Sequence, residues 1–408
     1  MAKNVTEKYL QRYAENEVQL FGLPSKKWKY VLCIPACDES DSLMATLESV
    51  RRTNGAEDCL VCIIINATDG ASERVHSSNQ SCADQLTHRC NLVGDSFRWG
   101  SLEGMDVLLV DRFSPGCRLP AGEGVGLARK IVGDIALLLI HKSVVENQWI
   151  WCTDADVQLP KDYFERIQSK GDGVSAYVYP FAHTLQGDVL QQEAMKLYES
   201  FLHYYVDGLK RAGSPYAFYS IGSLICVNAK SYAMVRGFPK RLAAEDFYLL
   251  NKLAKVGLVR TLDGSAVRIQ GRESNRVPFG TGAALIEIRA LLEKGLPYSV
   301  MHPSVFDALG VWLSALDAFV QHRNLDELRS SLRSSSIQYS GLLEEVVERL
   351  GAFRVLESAL VHTENTKEPN AQLRRRIREW NDGFRTLKIV HGLRDGGLGE
   401  IELERGTV

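Results

Sequence analysis

Apolar and polar positions alternate between two periods along the first two-thirds of this chain. Residues 5 to 20 follow a helical period, with Tyr9, Leu10, Tyr13, Val18 and Leu20 on the apolar side. Tyr30 to Pro35 is a short apolar run rich in β-formers, and Asp38 to Arg52 predicts an amphipathic helix. Cys59 to Ile65 and Val107 to Val110 read as buried strands, while residues 66 to 104 are polar and irregular, with some helix expected. Gly124 to Val145 predicts a long helix and Trp149 to Thr153 a fourth strand. Pro160 is placed to open a helix, because its ring presets the backbone where no N–H partner is needed. Further on, Val174 to Tyr179 and Ser223 to Val227 read as strands, and Val189 to Arg211 and Glu245 to Val256 as helices, the last stopped by Gly257.

Strands alternating with helices imply an α/β fold with a mostly parallel sheet covered on both faces. Ligands in such sheets bind beyond the carboxyl ends of the strands. From about Gly282 only the helical period remains, as in Leu285-Ile286, Ile288 and Leu291-Leu292. The expected organisation is therefore a sheet domain over 1–281 and a helical extension over 282–408. Breaks are expected at Ser330 to Ser336 and His362 to Asn370, and no internal repeat is present.

Composition narrows the functional classes. With 408 residues, 45% of them apolar, the chain can bury a substantial core. A net charge of −2 provides no global positive field, which argues against nucleic acid as the main partner. The first residues lack the apolar core of a signal peptide, and no uninterrupted apolar stretch reaches spanning length, the best being Ile135 to Ile140. A soluble, cytoplasmic protein is expected. Nine cysteines among strand-like runs suit a reducing compartment. Cys59 and Cys62 form a Cys-x-x-Cys, but three residues apart in a strand they point to opposite faces. His76, Cys82, His88 and Cys90 are ligand-type residues whose spacing fits no zinc pattern.

Four segments carry candidate chemistry. After the strand Trp149 to Thr153 come Asp154 and Asp156, the one Asp-x-Asp of the chain. Two carboxylates that close require a cation, and a divalent ion such as Mn²⁺ or Mg²⁺ prefers oxygen ligands and bridges carboxylates to phosphates. Ile34-Pro-Ala-Cys-Asp-Glu39 leads from a strand into a helix whose free N–H groups and dipole favour anions; Pro35 is expected to stop the strand ladder. Asn66-Ala-Thr-Asp-Gly70 is a turn in which Asp69 can accept from a nucleobase N–H. Gly237-Phe-Pro precedes Ala244-Glu-Asp246 at a helix start, where a carboxylate beside a cleft can act as general base. Each segment also has a structural explanation as a turn or a first-turn acid. Gly122, Gly124 and Gly126 resemble a phosphate cradle only loosely.

Taken in order, Ile34-Pro-Ala-Cys-Asp-Glu39, Asn66-Ala-Thr-Asp-Gly70, Thr153-Asp-Ala-Asp156 and Gly237-Phe-Pro with Ala244-Glu-Asp246 resemble the family 2 glycosyltransferases of GT-A fold. Gly124-Val-Gly-Leu-Ala-Arg129 sits where that family has a small-residue turn and a basic residue. The match covers about residues 28 to 280. The resemblance implies transfer of a sugar from a nucleoside-diphosphate donor to an acceptor hydroxyl, read as inverting, with retention the alternative. It implies that Pro35, Ala36, Glu39, Asp69, Arg129 and Asp154 bind the nucleotide sugar, that Asp154 and Asp156 hold Mn or Mg, and that Asp246 is the catalytic base with Glu245 its neighbour or stand-in. Arg272 and Arg276 are expected to clamp a phosphate. Two departures stand out: Cys37 occupies a position where the family often has Tyr or His, and the Gln-x-x-Arg-Trp of polymer synthases is replaced by Ser274 to Gly282.

Two rival readings remain. A sugar-phosphate nucleotidylyltransferase would carry a Gly-rich basic loop after its first strand, where Pro35-Ala-Cys-Asp-Glu39 stands instead. A non-enzymatic nucleotide-binding scaffold would recruit a partner through its helical tail. There Leu373-Arg-Arg-Arg-Ile377, Trp380, Phe384 and Leu387 form a stripe suited to an anionic membrane or a lipid-linked acceptor, or simply to a packed helix with a solvated basic face.

Overall fold

A computed structural model of the chain describes residues 5–167, 173–271, 280–334 and 340–403. In chain order the elements are α1 (Val5–Arg12), α2 (Glu17–Leu20), β1 (Tyr30–Ala36), α3 (Leu43–Arg51), β2 (Cys59–Asn66), α4 (Glu73–Cys90), β3 (Phe97–Leu102), β4 (Met105–Arg112), α5 (Gly124–His141), β5 (Trp149–Cys152) and β6 (Val157–Gln158). Then follow β7 (Val174–Val178), β8 (Phe181–Thr184), α6 (Val189–Arg211), β9 (Ile225–Asn228), α7 (Ala229–Met234), α8 (Glu245–Val256), β10 (Leu258–Thr261), β11 (Val267–Gln270) and α9 (Thr281–Glu293). The last are β12 (Ser299–Met301), α10 (Ser304–His322), α11 (Leu325–Ser334), α12 (Ser340–Arg349), α13 (Ala352–Thr363), α14 (Pro369–Trp380), α15 (Gly383–Leu393) and β13 (Glu400–Glu402).

The chain divides into two compact units, one of residues 1–187 and 220–284, the other of 188–219 and 285–408. The first is the expected α/β layer structure. Its main sheet has strand order β10-β7-β9-β5-β1-β2-β4-β3 among the described residues. The pairs β1–β2, β1–β5, β2–β4 and β7–β10 are parallel; β3–β4, β5–β9 and β7–β9 are antiparallel. β1 and β2 are buried along their whole length, as continuous apolar strands must be when both faces are covered. A small sheet, β6-β11-β8, lies apart from the main one in pairing.

Several expectations are corrected here. Residues 5–20 are two helices rather than one. The chain opens between α1 and α2 because backbone there serves buried charges: Lys130 Nζ donates to the Tyr13 carbonyl (2.9 Å) and the Glu15 N–H to Asp134 (2.9 Å). The helix expected from Asp38 begins at Leu43. Asp38 adopts a left-handed backbone (φ 58°), its N–H bonded to Asn79 Oδ1 (2.9 Å), so residues 38–42 form a turn. Pro35 does not end β1: the parallel pairing continues through Pro35↔Ile64 and Ala36↔Ile65. On the other side the ladder to β5 stops at Cys33↔Cys152, so the missing N–H costs no ladder bond there. Among the described residues no helix follows Pro160; residues 161–166 make successive turns, with Tyr163 and Phe164 both buried.

The stretch read as polar and irregular, with some helix expected, holds α4 and β3. The bounds of α4 were not legible because, Leu86 apart, its buried stripe is polar or small: Asn79, Cys82, Ala83 and Cys90. Burial pushes the Cys82 and Cys90 thiols up, to about 12 and about 11, so both act as packing groups.

The second unit is helical. Its core joins α10 (Val305, Leu309, Trp312, Phe319), α13 (Phe353, Leu356), α14 (Leu373, Ile377) and α15 (Ile389, Val390), with Phe201, Tyr204 and Tyr205 of α6 packed against it. Among the described residues, α10 alone is long and apolar enough, by length and composition, to cross a bilayer; half of it is buried in the structure.

Candidate active site

The site lies at the carboxyl end of β5. Past Cys152 the chain is held on both sides: the Thr153 N–H donates to the Cys33 carbonyl (3.1 Å), and its hydroxyl donates to the Ser223 carbonyl (3.0 Å). Thr46 of α3 pins the next turn, its hydroxyl meeting the carbonyls of Ala155 (2.9 Å) and Val157 (3.0 Å) and the Val157 N–H (3.1 Å). With Thr153 and Ala155 buried, Asp154 and Asp156 are the half-exposed residues of a fixed loop.

α5 places a guanidinium beside this loop. The helix is buried from Gly126 to Ile140 because it packs on β1 and β2 beneath and on α1, α2, α7 and α8 around it. Arg129, 4% exposed, forms an ion pair with Asp154 through Nη2 and with Glu245 through Nε (2.8 Å). The cation that the Asp-x-Asp loop requires beside Asp154 is thus supplied by the chain itself. Burial alone would lower the proton affinity of Arg129; Asp154 and then Glu245 reverse that and hold the group cationic. Gly222 makes room: a Cβ there would lie 2.2 Å from Arg129 Nη2. The Phe238 ring centre is 6.0 Å from the guanidinium carbon.

Glu245 and Asp246 open α8 behind Ala244, whose left-handed φ of 58° is strained for a residue with a Cβ. Glu245 is buried against Arg129. Asp246 is half-buried and accepts from the Phe247 N–H (2.7 Å). Burial first, and then the neighbouring Glu245, push its carboxyl up to about 7; Arg129 and the Phe247 N–H only partly offset this. A carboxyl raised toward neutrality suits general base work.

Of the other sequence candidates, Pro35 and Ala36 lie buried at the end of β1. Glu39 is buried in the turn before α3 and accepts from the Ser42 hydroxyl (2.6 Å). Asp69 is 86% exposed and paired with Arg118 (3.5 Å). Arg272 and Arg276 lie outside the described residues. So Arg129, Asp154, Glu245 and Asp246 are brought together, while Asp69 is tied to the loop 113–123. Sequence reasoning missed Asn79, fully buried, which joins two motifs by donating to the Asn66 carbonyl (2.9 Å) and accepting from the Asp38 N–H. It also missed the buried network Lys130–Asp134–Tyr9–Tyr232 one turn beyond Arg129, in which Lys130 Nζ meets Tyr9 Oη (2.6 Å) and Asp134 (2.9 Å), and Tyr232 donates to Asp134 (2.9 Å). A charged pair at i and i+4 in an otherwise apolar helix was its only sequence signal.

Gly126 has a structural reason rather than a phosphate. A Cβ there would lie 2.4 Å from the Pro239 carbonyl oxygen and 2.5 Å from the Arg241 nitrogen, both backbone. Its own N–H donates to the Arg241 carbonyl (3.0 Å). The contact lets the 239–241 loop lie directly on α5. Gly126→Ala is expected to destabilise by about 1–3 kcal/mol through overpacking, measured as a lower urea midpoint; an unchanged midpoint would mean the loop yields freely.

A divalent ion fits the loop in part. Among the described residues no three His, Cys, Asp or Glu side chains are grouped to hold a metal, so the protein offers at most the two aspartates. That number matches ions that take one or two carboxylates and complete their shell with phosphate and water. The buried Arg129 Nη1 and Ser223 Oγ have no partner among the described residues.

No protein family and no curated protein matches the chain. Similar solved structures include S. aureus TarS 1-349 in complex with UDP-GlcNAc: 11% identity, 93% of this chain and 97% of that one covered, TM-score 0.42. Mannosyltransferase PcManGT from Pyrobaculum calidifontis, with GDP-Man and Mn²⁺, shares 14% identity over 92% and 95% of the two chains, TM-score 0.36. Glucosyl-3-phosphoglycerate synthase from Mycobacterium tuberculosis, with Mn²⁺, UDP-Glc and phosphoglyceric acid, shares 12% identity over 68% and 84%, TM-score 0.32. At 14% identity or less and TM-scores below 0.5, these likenesses carry no chemistry over to this chain.

Proposed function

We propose that the first unit is a GT-A-type glycosyltransferase that moves a sugar from a nucleoside-diphosphate donor to an acceptor hydroxyl with inversion. The reading rests on one observation. Arg129 binds Asp154 and Glu245 at once, so the Asp-x-Asp loop and the Glu-Asp helix start meet at the carboxyl end of β5. An acid pair far along the chain thereby stands beside the place where a diphosphate would sit.

Asp156, with Asp154 beside it, would hold Mn²⁺ or Mg²⁺, which when bound neutralises charge developing on the leaving diphosphate. Asp246 takes the proton from the acceptor hydroxyl, which attacks the anomeric carbon on the face opposite the leaving group. Glu245, held by Arg129, keeps the start of α8 in place and helps keep the Asp246 carboxyl basic enough for that step. The nine cysteines are all free thiols, and the proposal places the enzyme in the cytoplasm.

The test is donor binding with and without Mn²⁺. UDP- and GDP-sugars plus Mn²⁺ are expected to raise the melting temperature of the wild-type protein, by about 2.7 kcal/mol of linkage at a hundredfold excess over Kd. Asp156→Ala should lose the Mn²⁺-dependent part. A rise that persists in Asp156→Ala removes that residue from the metal site. Release of pyrophosphate from nucleoside triphosphate plus sugar phosphate would instead identify a nucleotidylyltransferase.

A further inference from the structure

The helical unit carries a groove of 530 Å³ between α13 and α14, built from residues that the transfer reaction does not use. α13 contributes Arg354 and Ser358, four apart and so on one face; α14 contributes Arg376, Glu379 and Trp380, at i, i+3 and i+4. The opposite faces of both helices, Phe353 and Leu356 on one and Leu373 and Ile377 on the other, are fixed in the core, so the groove walls are held by packing.

Neither Arg354 nor Arg376 has an ion pair or side-chain hydrogen bond among the described residues. Their neighbours do: Arg375 pairs with Glu379 (3.0 Å), and Arg329 and Arg333 with Glu344 (3.1 and 2.7 Å). Two guanidiniums against the one carboxylate of the lining, Glu379, which Arg375 already pairs, leave a net positive wall that favours an anion, and their planar forks match phosphate oxygens. Trp380 is half-buried and lines the groove, where an indole suits the apolar face of a ring, and the Arg385 guanidinium carbon lies 5.8 Å from its ring centre. Ser358 and the Glu379 carboxylate offer partners for hydroxyl groups.

We propose that this groove is a second binding site, for a phosphorylated carbohydrate. The arginines take the phosphoryl group, Trp380 the sugar ring, and Glu379 and Ser358 its hydroxyls. The volume suits a ligand of that size. A carboxylate in the wall disfavours a continuous polyanion such as nucleic acid. A membrane surface is disfavoured because the apolar groove residues are recessed, Val355 half-buried and Ala359 buried.

The experiment is calorimetric titration of the full chain with glucose 6-phosphate and mannose 6-phosphate, then glucose, inorganic phosphate and anionic phosphatidylglycerol vesicles. At least one sugar phosphate is expected to bind about tenfold or more tightly than glucose or inorganic phosphate. Arg354→Gln/Arg376→Gln and Trp380→Ala should each weaken it by about tenfold or more, with the double arginine variant keeping the wild-type melting temperature and Mn²⁺-dependent donor binding. Binding that survives Asp156→Ala assigns it to this groove and not to the carboxylate site, whatever becomes of the transferase reading. No sugar-phosphate binding, equal affinity for inorganic phosphate, or binding unchanged in the double arginine variant would each overturn the proposal. So would vesicle binding that depends on the arginines without sugar-phosphate binding.

Discussion

Arg129→Ala is expected to destabilise the first unit by about 3–5 kcal/mol, the cost of leaving a buried charge without its partner. Glu245 is only 5% exposed, and its carboxylate accepts from Arg129 Nε at 2.8 Å. Without the guanidinium it must ionise unpaired in a dry site or take up a proton. Asp154, with 32% of its side chain exposed, is reached by water and suffers less. Equilibrium urea unfolding measures the effect. Because the two losses share one cause, Arg129→Ala/Glu245→Gln should cost less than the sum of its single variants. Arg129→Lys should recover little, since an ammonium is a single point charge and cannot present two fixed N–H groups to two carboxylates. A loss below about 1 kcal/mol in Arg129→Ala would place the ion pairs in the range of surface bridges and remove the clamp. Any folded Arg129→Ala protein should also titrate differently, because Arg129 is among the groups that hold Asp246 down. Its activity limb should move to higher pH.

Asp246→Asn is expected to keep Mn²⁺-dependent donor binding and to lower transfer by about 10²–10⁴-fold, the usual contribution of a positioned base. The wild-type kcat/KM should rise with pH through a midpoint near the value of about 7 that burial and Glu245 impose on this carboxyl. The stability effect has the opposite direction. The folded value lies above that of the unfolded chain, about 3.9, so between the two the native state keeps a proton that the unfolded state has lost. Stability therefore falls as pH rises from about 4 to 7. In Asp246→Asn that part of the pH dependence should vanish, and the variant should gain on the wild type above pH 7. Undiminished transfer by Asp246→Asn would exclude it as the base; a flat wild-type stability profile across this window would show that its carboxyl is not raised.

Strands whose both faces are buried could be read as continuous apolar runs, and β1, β2, β4 and β5 fall within a residue or three of their expected bounds. α6 and α8 match theirs, because strong 3.6-residue patterns and a stopping glycine leave little choice. Some helix was expected where α4 lies, but its bounds were not legible because its core stripe includes Asn79, Cys82 and Cys90, which give a weak apolar period. Pro35 shows the converse: a strong local signal is overridden where the ladder on one side has already ended.

For the site, the sequence by itself determined the elements and the acids at their ends: Asp154 and Asp156 after β5, Glu245 and Asp246 at the start of α8. Local pattern can do this, since strand ends and helix caps are written within a few residues. Which of these acids meet was decided only by tertiary structure. Arg129 reaches partners 25 and 116 residues away, and Asn79 ties Asp38 across 41. Such pairs leave no periodic trace along the chain. They exist because α5 is packed on the sheet on one side and covered on the other, which strips water from its charges and makes each of them find a partner in space.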